Sequence, residues 1–110
     1  MTQRIIPRYK LMLFYDLATE DTSAYFRFLM MEMIPSLQAL GVYMFRAFQI
    51  IPAAPDSRSQ MRQIEFVSED LETLRDVLAS PRWQNYEAWL LAHTTHYRKK
   101  IVPFRSGFQL

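Results

Sequence analysis

The chain has no cysteine, only two glycines and no long apolar run, and each absence excludes a class of protein. Without cysteine there is no disulfide framework, no thiolate metal site and no cysteine nucleophile. Gly41 and Gly107 stand far apart, so the chain has no glycine-rich loop for a phosphate group. No apolar run exceeds five residues, whereas a membrane-spanning helix needs about 20. We therefore expect no membrane span.

The residues that are present suit one folded domain over positions 1–110. Half of the 110 residues are hydrophobic, and a chain of this size buries enough apolar surface for a core of its own. The formal net charge of +2 is too small to indicate nucleic-acid binding. Met1–Lys10 has no apolar stretch of the kind a secretory leader carries, so we expect a cytoplasmic protein.

Strand and helix patterns alternate along the chain. Strands are predicted from short aromatic and β-branched stretches, and helices from apolar residues at helical spacing. The run Ser68-Glu69-Asp70 is predicted to cap the second helix, Pro35 bends the first helix, and Ser80-Pro81 restarts the second helical segment. The predicted strands are Arg8–Leu17, Val42–Ile51 and Met61–Val67, and Ile101–Leu110 is a last strand or an extended tail. The first predicted helix is Ser23–Leu40, closed by Gly41, and Pro52–Ser59 is a loop. The second helical segment begins at Leu71 and carries Tyr97 on its apolar face, and Arg98-Lys99-Lys100 end it or follow it.

This order of elements is β-α-β-β-α-β, which is typical of the ferredoxin-like α+β fold. The prediction is a four-stranded antiparallel sheet with two helices on one face. Alternation in the first strand turns Leu11 and Leu13 to one face and Met12 and Phe14 to the other, so both faces are apolar. An apolar second face needs a cover. We expect a second copy of the chain to supply it, in a homodimer paired through the sheet faces.

Three short segments carry a resemblance to a known group of proteins. They are IPSLQALG at Ile34–Gly41, SPRWQNY at Ser80–Tyr86 and IVPF at Ile101–Phe104. The chain resembles the dimeric α/β-barrel superfamily, in which two ferredoxin-like subunits pair their sheets into a barrel, and it is most similar to NIPSNAP-like domains. The resemblance implies a dimeric barrel.

The superfamily also includes cofactor-independent monooxygenases and haem-degrading enzymes. The haem-degrading members use an Asn on the first strand and a Trp/His pair on the second helix. Here the corresponding positions hold Asp16, Val77 and Glu87. Trp83 and His93 have the separation of the Trp/His pair, but only if the alignment shifts by six residues, so we do not expect haem degradation. We expect no cofactor.

A ligand pocket is predicted between the sheet and the helices, because bends at Pro35 and at Ser80-Pro81 favour a gap over the sheet. The residues expected to line it are Tyr15, Met30, Arg46, Trp83 and His93. His93 is the candidate catalytic residue, as a general base, because histidine is the side chain that exchanges protons most readily near neutral pH. The alternative is that His93 only packs or caps there.

Two pairs of polar residues allow a second interpretation. His93 and His96, three apart on the predicted last helix, could be two metal ligands, but no pattern supplies a third, so we expect no metal site. Arg46 and Glu65 lie on neighbouring strands. They are either a cross-strand ion pair or a site at which Arg46 binds an anionic or carbonyl ligand.

Two functions fit these features. The first is a small-molecule-binding protein of unknown specificity for an apolar or aromatic ligand, which the resemblance extends to a cofactor-independent monooxygenase-like enzyme. The second is a non-catalytic dimeric structural or interaction module. The sequence leaves open whether the protein is an enzyme.

The apolar second face generates the first testable prediction. Sedimentation equilibrium at micromolar concentration should give twice the mass of one chain, because burial of that face favours association. A mass equal to one chain would contradict it.

Overall fold

The computed structural model describes residues 5–17, 22–50, 61–107 and 109, with the backbone alone for Ile50. The predicted loop Pro52–Ser59 lies outside these residues. The elements are strands β1 Tyr9–Leu17, β2 Tyr43–Ile50, β3 Met61–Ser68 and β4 Thr94–Pro103, and helices α1 Thr22–Phe28, α2 Ile34–Ala39, α3 Leu71–Leu78 and α4 Pro81–His93, with a π-helical turn Leu29–Met33 between α1 and α2.

The four strands form one antiparallel sheet in the order β2-β3-β1-β4. With α1–α2 after β1 and α3–α4 after β3, this is the predicted ferredoxin-like βαββαβ topology. In the part of the chain that the structure describes, no helix is long and apolar enough to cross a membrane.

The helix ends follow the local signals in the sequence. The Asp70 side chain accepts a hydrogen bond from the Thr73 N–H at 2.6 Å, and Ser80 caps α4 through the Trp83 N–H at 3.2 Å. Gly41 ends α2 with a φ of +90°, a conformation that favours glycine. The predicted caps and stop are therefore confirmed.

Pro35 is accommodated by a change of helical pitch. Its ring would press on the carbonyl four residues earlier, and it has no N–H to donate. The chain widens here into the π-helical turn, in which the Ile34 N–H bonds to the Leu29 carbonyl, five residues back. The helical path therefore passes through Pro35 without a break.

The last helix is shorter than the sequence predicts. It ends at His93, and Thr94 continues directly as β4 in an extended conformation. Its Oγ1 donates to the Leu90 carbonyl at 2.5 Å and so satisfies one of the free carbonyls at the helix end. The placement of Tyr97 on that helix is therefore wrong, because Tyr97 lies in β4. Arg98-Lys99-Lys100 follow the helix as the middle of the same strand, and this last strand begins at Thr94 rather than at Ile101.

The core fills the space between the helices and one face of the sheet. From the strands it takes mainly residues at alternating positions, and from the helices large aromatic and aliphatic residues. The buried members are Leu11, Leu13, Tyr15, Tyr25, Phe28, Leu29, Met33, Leu37, Val42, Ile64, Phe66, Leu74, Val77, Trp83 and Leu90. Tyr15 and Trp83, both predicted to line a cleft here, are packed within it.

The opposite face of the sheet, here called the second face, carries buried charges. Glu65 is fully buried, and its Oε1 lies 2.7 Å from Arg46 Nε and 3.3 Å from Lys10 Nζ. Gln63 Nε2 donates to the other carboxylate oxygen at 2.8 Å. The cross-strand ion pair between Arg46 and Glu65 is thus confirmed, within a larger cluster. The prediction of an apolar second face is corrected by this charged centre.

The chain's own C-terminal segment, residues 104–107 and 109, lies over this cluster. Its backbone carbonyls accept hydrogen bonds from N–H groups of the same side chains that surround the carboxylate. Lys10, Arg46 and Gln63 donate to the carbonyl oxygens of Arg105, Ser106, Gly107 and Gln109 over 2.7–3.0 Å. Part of the second face is therefore covered within one chain rather than by a second copy.

Two β-bulges interrupt the alternation of side chains. On β2, Phe45 is an extra residue between the pairs Met44–Phe66 and Arg46–Glu65. The bulge turns Arg46 to the second face although Met44, two positions earlier, packs on the core. On β4, two residues, His96 and Tyr97, stand opposite a single residue of β1. His96 has a φ of +57°, in the left-handed region.

Acid should weaken the fold through Glu65. Burial alone would raise its pKa, but hydrogen bonds from Arg46 and Gln63 and the charge of Lys10 hold the pKa below the ordinary value of 4.5. This stabilisation is complete above the unfolded pKa and is lost as pH falls through the lower folded value. In urea unfolding at several pH values, Glu65→Gln should lower the free energy of unfolding near pH 7 by about 3 kcal/mol. Glu65→Gln should also reduce the decrease in the free energy of unfolding between pH 5 and 3. The control Glu72→Gln, at an exposed position, should show the same decrease as the wild type.

The left-handed conformation of His96 predicts an inverted order of stability. Glycine in an unstrained strand is less stable than alanine by about 0.5–1 kcal/mol. At His96, alanine keeps the Cβ strain, which costs about 1–2 kcal/mol, whereas glycine does not. Both changes remove the same imidazole. Urea unfolding should therefore give His96→Gly a free energy of unfolding about 1 kcal/mol higher than that of His96→Ala. The reverse order would contradict the left-handed conformation of residue 96.

Candidate functional site

The predicted base, His93, lies on the surface of α4. Its side chain is exposed, its ring stacks on Trp89 with centroids 4.0 Å apart, and its Nδ1 lies 2.8 Å from the Trp89 carbonyl oxygen. Trp89 in turn stacks on Phe28 at 4.0 Å. His93 thus extends an aromatic stack on the helical side. His96 is on β4, so the two histidines do not share a helix face as predicted.

The five predicted pocket residues do not meet in one place. Met30 is 58% exposed. Arg46 faces the second side of the sheet, while Tyr15 and Trp83 are buried on the helical side. The bulge at Phe45 is the physical reason for the misplacement of Arg46, because strict alternation puts it on the same face as Met44.

Tyr15 forms a buried phenol pair. Its hydroxyl oxygen lies 2.5 Å from that of Tyr25, and the two rings meet edge to face. Burial first, and then the neighbouring Tyr25, raise the pKa of Tyr15 far above its ordinary value, and burial also raises the pKa of Tyr25. Both phenols therefore stay protonated at neutral pH, and one of them donates to the other.

A cavity of about 450 Å³ lies where β1 ends, at the point where β3 begins and β4 forms its bulge. Its lining combines apolar and charged groups, and we call it the β1-end cavity. The lining residues are Phe14, Tyr15, Asp16, Met61, His96 and Arg98. Its volume is within the range of small-molecule sites, which join apolar walls to a few polar groups. Of the predicted pocket residues, Tyr15 belongs to it.

A histidine–aspartate pair stands at this cavity. His96 Nδ1 lies 3.2 Å from Asp16 Oδ2 across the β1–β4 pairing. The Asp16 side chain is only 14% exposed, whereas that of His96 is 80% exposed. The other carboxylate oxygen, Oδ1, is buried and has no hydrogen-bond partner among the described residues. Asp16 is thus a fixed acceptor beside a solvent-accessible imidazole.

Two cations flank the aromatic wall of the cavity. The Arg98 guanidinium lies 4.5 Å from the centre of the Phe14 ring, and Lys100 Nζ lies 5.9 Å from it. Both belong to the second face, because β4 pairs them with Phe14 and Met12 of β1. A smaller cavity of about 130 Å³ continues past Phe14 along Arg98, Lys99 and Lys100. The two cations favour a ligand that carries negative charge.

The donor set of the site suits proton transfer and anion binding. Within the described ranges, no group of three or more His, Asp and Glu side chains lies close enough together to hold a metal ion. What the cavity does hold is one imidazole, one carboxylate and one guanidinium around an aromatic ring. Side chains of these types are the ones that general acid–base catalysis and anion binding use in proteins.

Sequence reasoning missed this cavity because it placed His96 on a helix. Trp83, Tyr86, Leu90 and Tyr97 fit a helical period, and no glycine or proline separates helix from strand. The pair of β-branched residues Thr94-Thr95 is the one local signal for the change to a strand. If β4 is taken to begin at Thr94, its antiparallel pairing with the end of β1 places His96 near Asp16.

Several solved structures share the fold of this chain over nearly its whole length. A putative antibiotic biosynthesis monooxygenase from Deinococcus radiodurans is 13% identical with a TM-score of 0.63, over 92% of this chain and 97% of that chain. SnoaB, a cofactor-independent oxygenase from Streptomyces nogalater, is 16% identical with a TM-score of 0.59, over 93% and 97%. An EthD family protein from Bacillus halodurans is 16% identical with a TM-score of 0.61, over 89% and 99%. The chain matches no protein-family model and no curated protein. At these identities the likeness is one of fold.

Proposed function

We propose that the protein binds a small aromatic or apolar molecule with an acidic group in the β1-end cavity. The observation that carries this proposal is the cavity of about 450 Å³ itself, where an aromatic wall meets the carboxylate of Asp16, the imidazole of His96 and the guanidinium of Arg98. Phe14 and Met61 supply the apolar contact. Arg98, held over the Phe14 ring, supplies the positive charge for the acidic group.

The homodimer belongs to the same proposal. Phe14, Asp16 and Met61 lie on the second face, through which the pairing of two copies is predicted. The C-terminal segment bonds to Lys10, near the other end of β1, and reaches Gln63, which pairs with Phe14. A second copy on this face would cover the open side of the β1-end cavity and exclude water from a bound ligand.

Finer assignments depend on resemblance. The likeness to NIPSNAP-like domains, a cytoplasmic location and a monooxygenase-like reaction stay predictions. Two of the similar structures are described as monooxygenase or oxygenase proteins, which supports a small-molecule activity on this fold but names no substrate. The non-catalytic interaction module is the competing hypothesis, and the binding experiment distinguishes the two.

Binding of 1-naphthoate provides a direct test. Isothermal titration calorimetry and two-dimensional NMR should show saturable binding with shifts at Phe14 and His96. The neutral analogue 1-naphthamide should bind more weakly. Arg98→Gln should weaken 1-naphthoate about tenfold, since a hydrogen bond to a charged group contributes about 1.5–3 kcal/mol, and it should leave 1-naphthamide unchanged.

Arg75→Gln is the matched control, because Arg75 is exposed on α3 and does not line the β1-end cavity. It should leave both affinities unchanged. Absence of saturable binding of either compound, or shifts confined to other parts of the chain, would contradict the proposal and favour the interaction module.

A further inference from the structure

We propose that His96 is a general base, positioned by Asp16, that removes a proton from a molecule bound in the β1-end cavity. This inference rests on the proposed function and adds a reaction class to it: proton abstraction from a carbon or oxygen acid. His93, the histidine that the sequence favours for this role, is held against Trp89 instead.

The hydrogen bond to Asp16 sets the tautomer of the imidazole. A carboxylate only accepts, so Nδ1 donates to Asp16 Oδ2 over 3.2 Å, and in the neutral form of the imidazole the lone pair is then on Nε2. This is the arrangement a general base requires: one nitrogen fixed by an acceptor and the other free to take a proton. Asp16 makes no direct contact with the substrate in this scheme and is a positioning residue.

The position of Asp16 is fixed by the sheet. Its backbone pairs with Thr95 of β4 on one side and with Met61 of β3 on the other. It is therefore held between two strands, and its side chain is mostly buried. A carboxylate held this firmly can orient a more mobile imidazole.

The bulge gives His96 its place at the cavity. The left-handed φ of +57° lies within the bulge of β4, where His96 and Tyr97 stand opposite a single residue of β1, and His96 lines the cavity there. Such a conformation is costly for a residue with a Cβ and persists where the surrounding structure enforces it. Here the pairing of β4 with β1 before and after the bulge enforces it.

Arg98 complements the base. When Nε2 takes a proton from a C–H or O–H bond, the electron pair of that bond stays on the substrate as a carbanion, enolate or alkoxide. The Arg98 guanidinium, which lines the same cavity, stabilises this negative charge. The step is complete without an oxidant or a reductant: the imidazole becomes imidazolium, and the substrate becomes an anion.

Elimination of 5-nitrobenzisoxazole tests the base directly. Removal of its C3 proton breaks the N–O bond and releases a coloured nitrophenolate, so the rate reports proton abstraction by a base in a cavity. The full-length protein should catalyse this reaction with saturation and at least tenfold faster than free imidazole at equal concentration. His96→Gln should lower kcat by about 10²-fold or more.

Two further variants separate the role of His96 from its effect on folding. His96→Gly, which should retain or improve stability, should be inactive but regain activity when imidazole is added. Asp16→Asn should lower kcat more than it raises KM. It should also move the ¹⁵N signals of the His96 ring away from the Nδ1–H form, a change that a purely structural role would not produce.

His93→Gln decides between the two histidines. The proposal requires His93→Gln to retain the elimination and His96→Gln to lose it; the opposite result overturns it, as does equal activity of wild type and His96→Gln. If 1-naphthoate binds as expected but no saturable elimination occurs, the general base is refuted while the binding site stands. Absence of 1-naphthoate binding refutes the proposed function itself.

Discussion

A carboxylate buried in the middle of a sheet must be neutralised and fully hydrogen-bonded, and the arrangement of the second face follows from that requirement. Glu65 is fully buried and meets Arg46, Lys10 and Gln63. These donors have more N–H groups than one carboxylate can accept from. The carbonyl oxygens of the C-terminal segment take the rest. One buried charge thus joins three strands to the end of the chain.

The fold is largely predictable from the sequence because the local signals agree with one another. Alternation marks β1, and the caps at Asp70 and Ser80 begin α3 and α4 where the structure has them. The boundary between α4 and β4 could not be predicted in the same way. Tyr97 continues the helical period of the preceding aromatic residues, and only the pairing with β1, a contact distant in sequence, selects the strand.

The site was harder to predict because it depends on two inserted residues. A bulge changes which face the following side chains occupy, and nothing in the composition around Phe45 or His96 announces one. The first bulge removes Arg46 from the helical side. The second brings His96 to the end of β1. Of the polar residues in the cavity, the sequence singled out His96, as a possible metal ligand, but its grouping with Asp16 and Arg98 required the register of the strands.

The predicted cleft between sheet and helices is occupied by side chains. The π-helical turn lets the helical path continue through Pro35. Tyr15, Tyr25 and Trp83 pack between the helices and the sheet. Charged groups and open volume coincide instead at the β1-end cavity, on the side of the sheet away from the helices.

The position of β4 at the border of the sheet has a consequence for how copies of the chain can associate. A border strand offers free backbone N–H and C=O groups to any other strand, and natural proteins protect such borders with charges and bulges. Between Thr94 and Pro103, β4 carries Arg98, Lys99 and Lys100 and the irregular backbone at His96. Two such strands placed side by side would repel each other through these cations, and the bulges would prevent their backbone N–H and C=O groups from pairing in register. Edge-to-edge growth into extended sheets is therefore disfavoured on this side of the sheet.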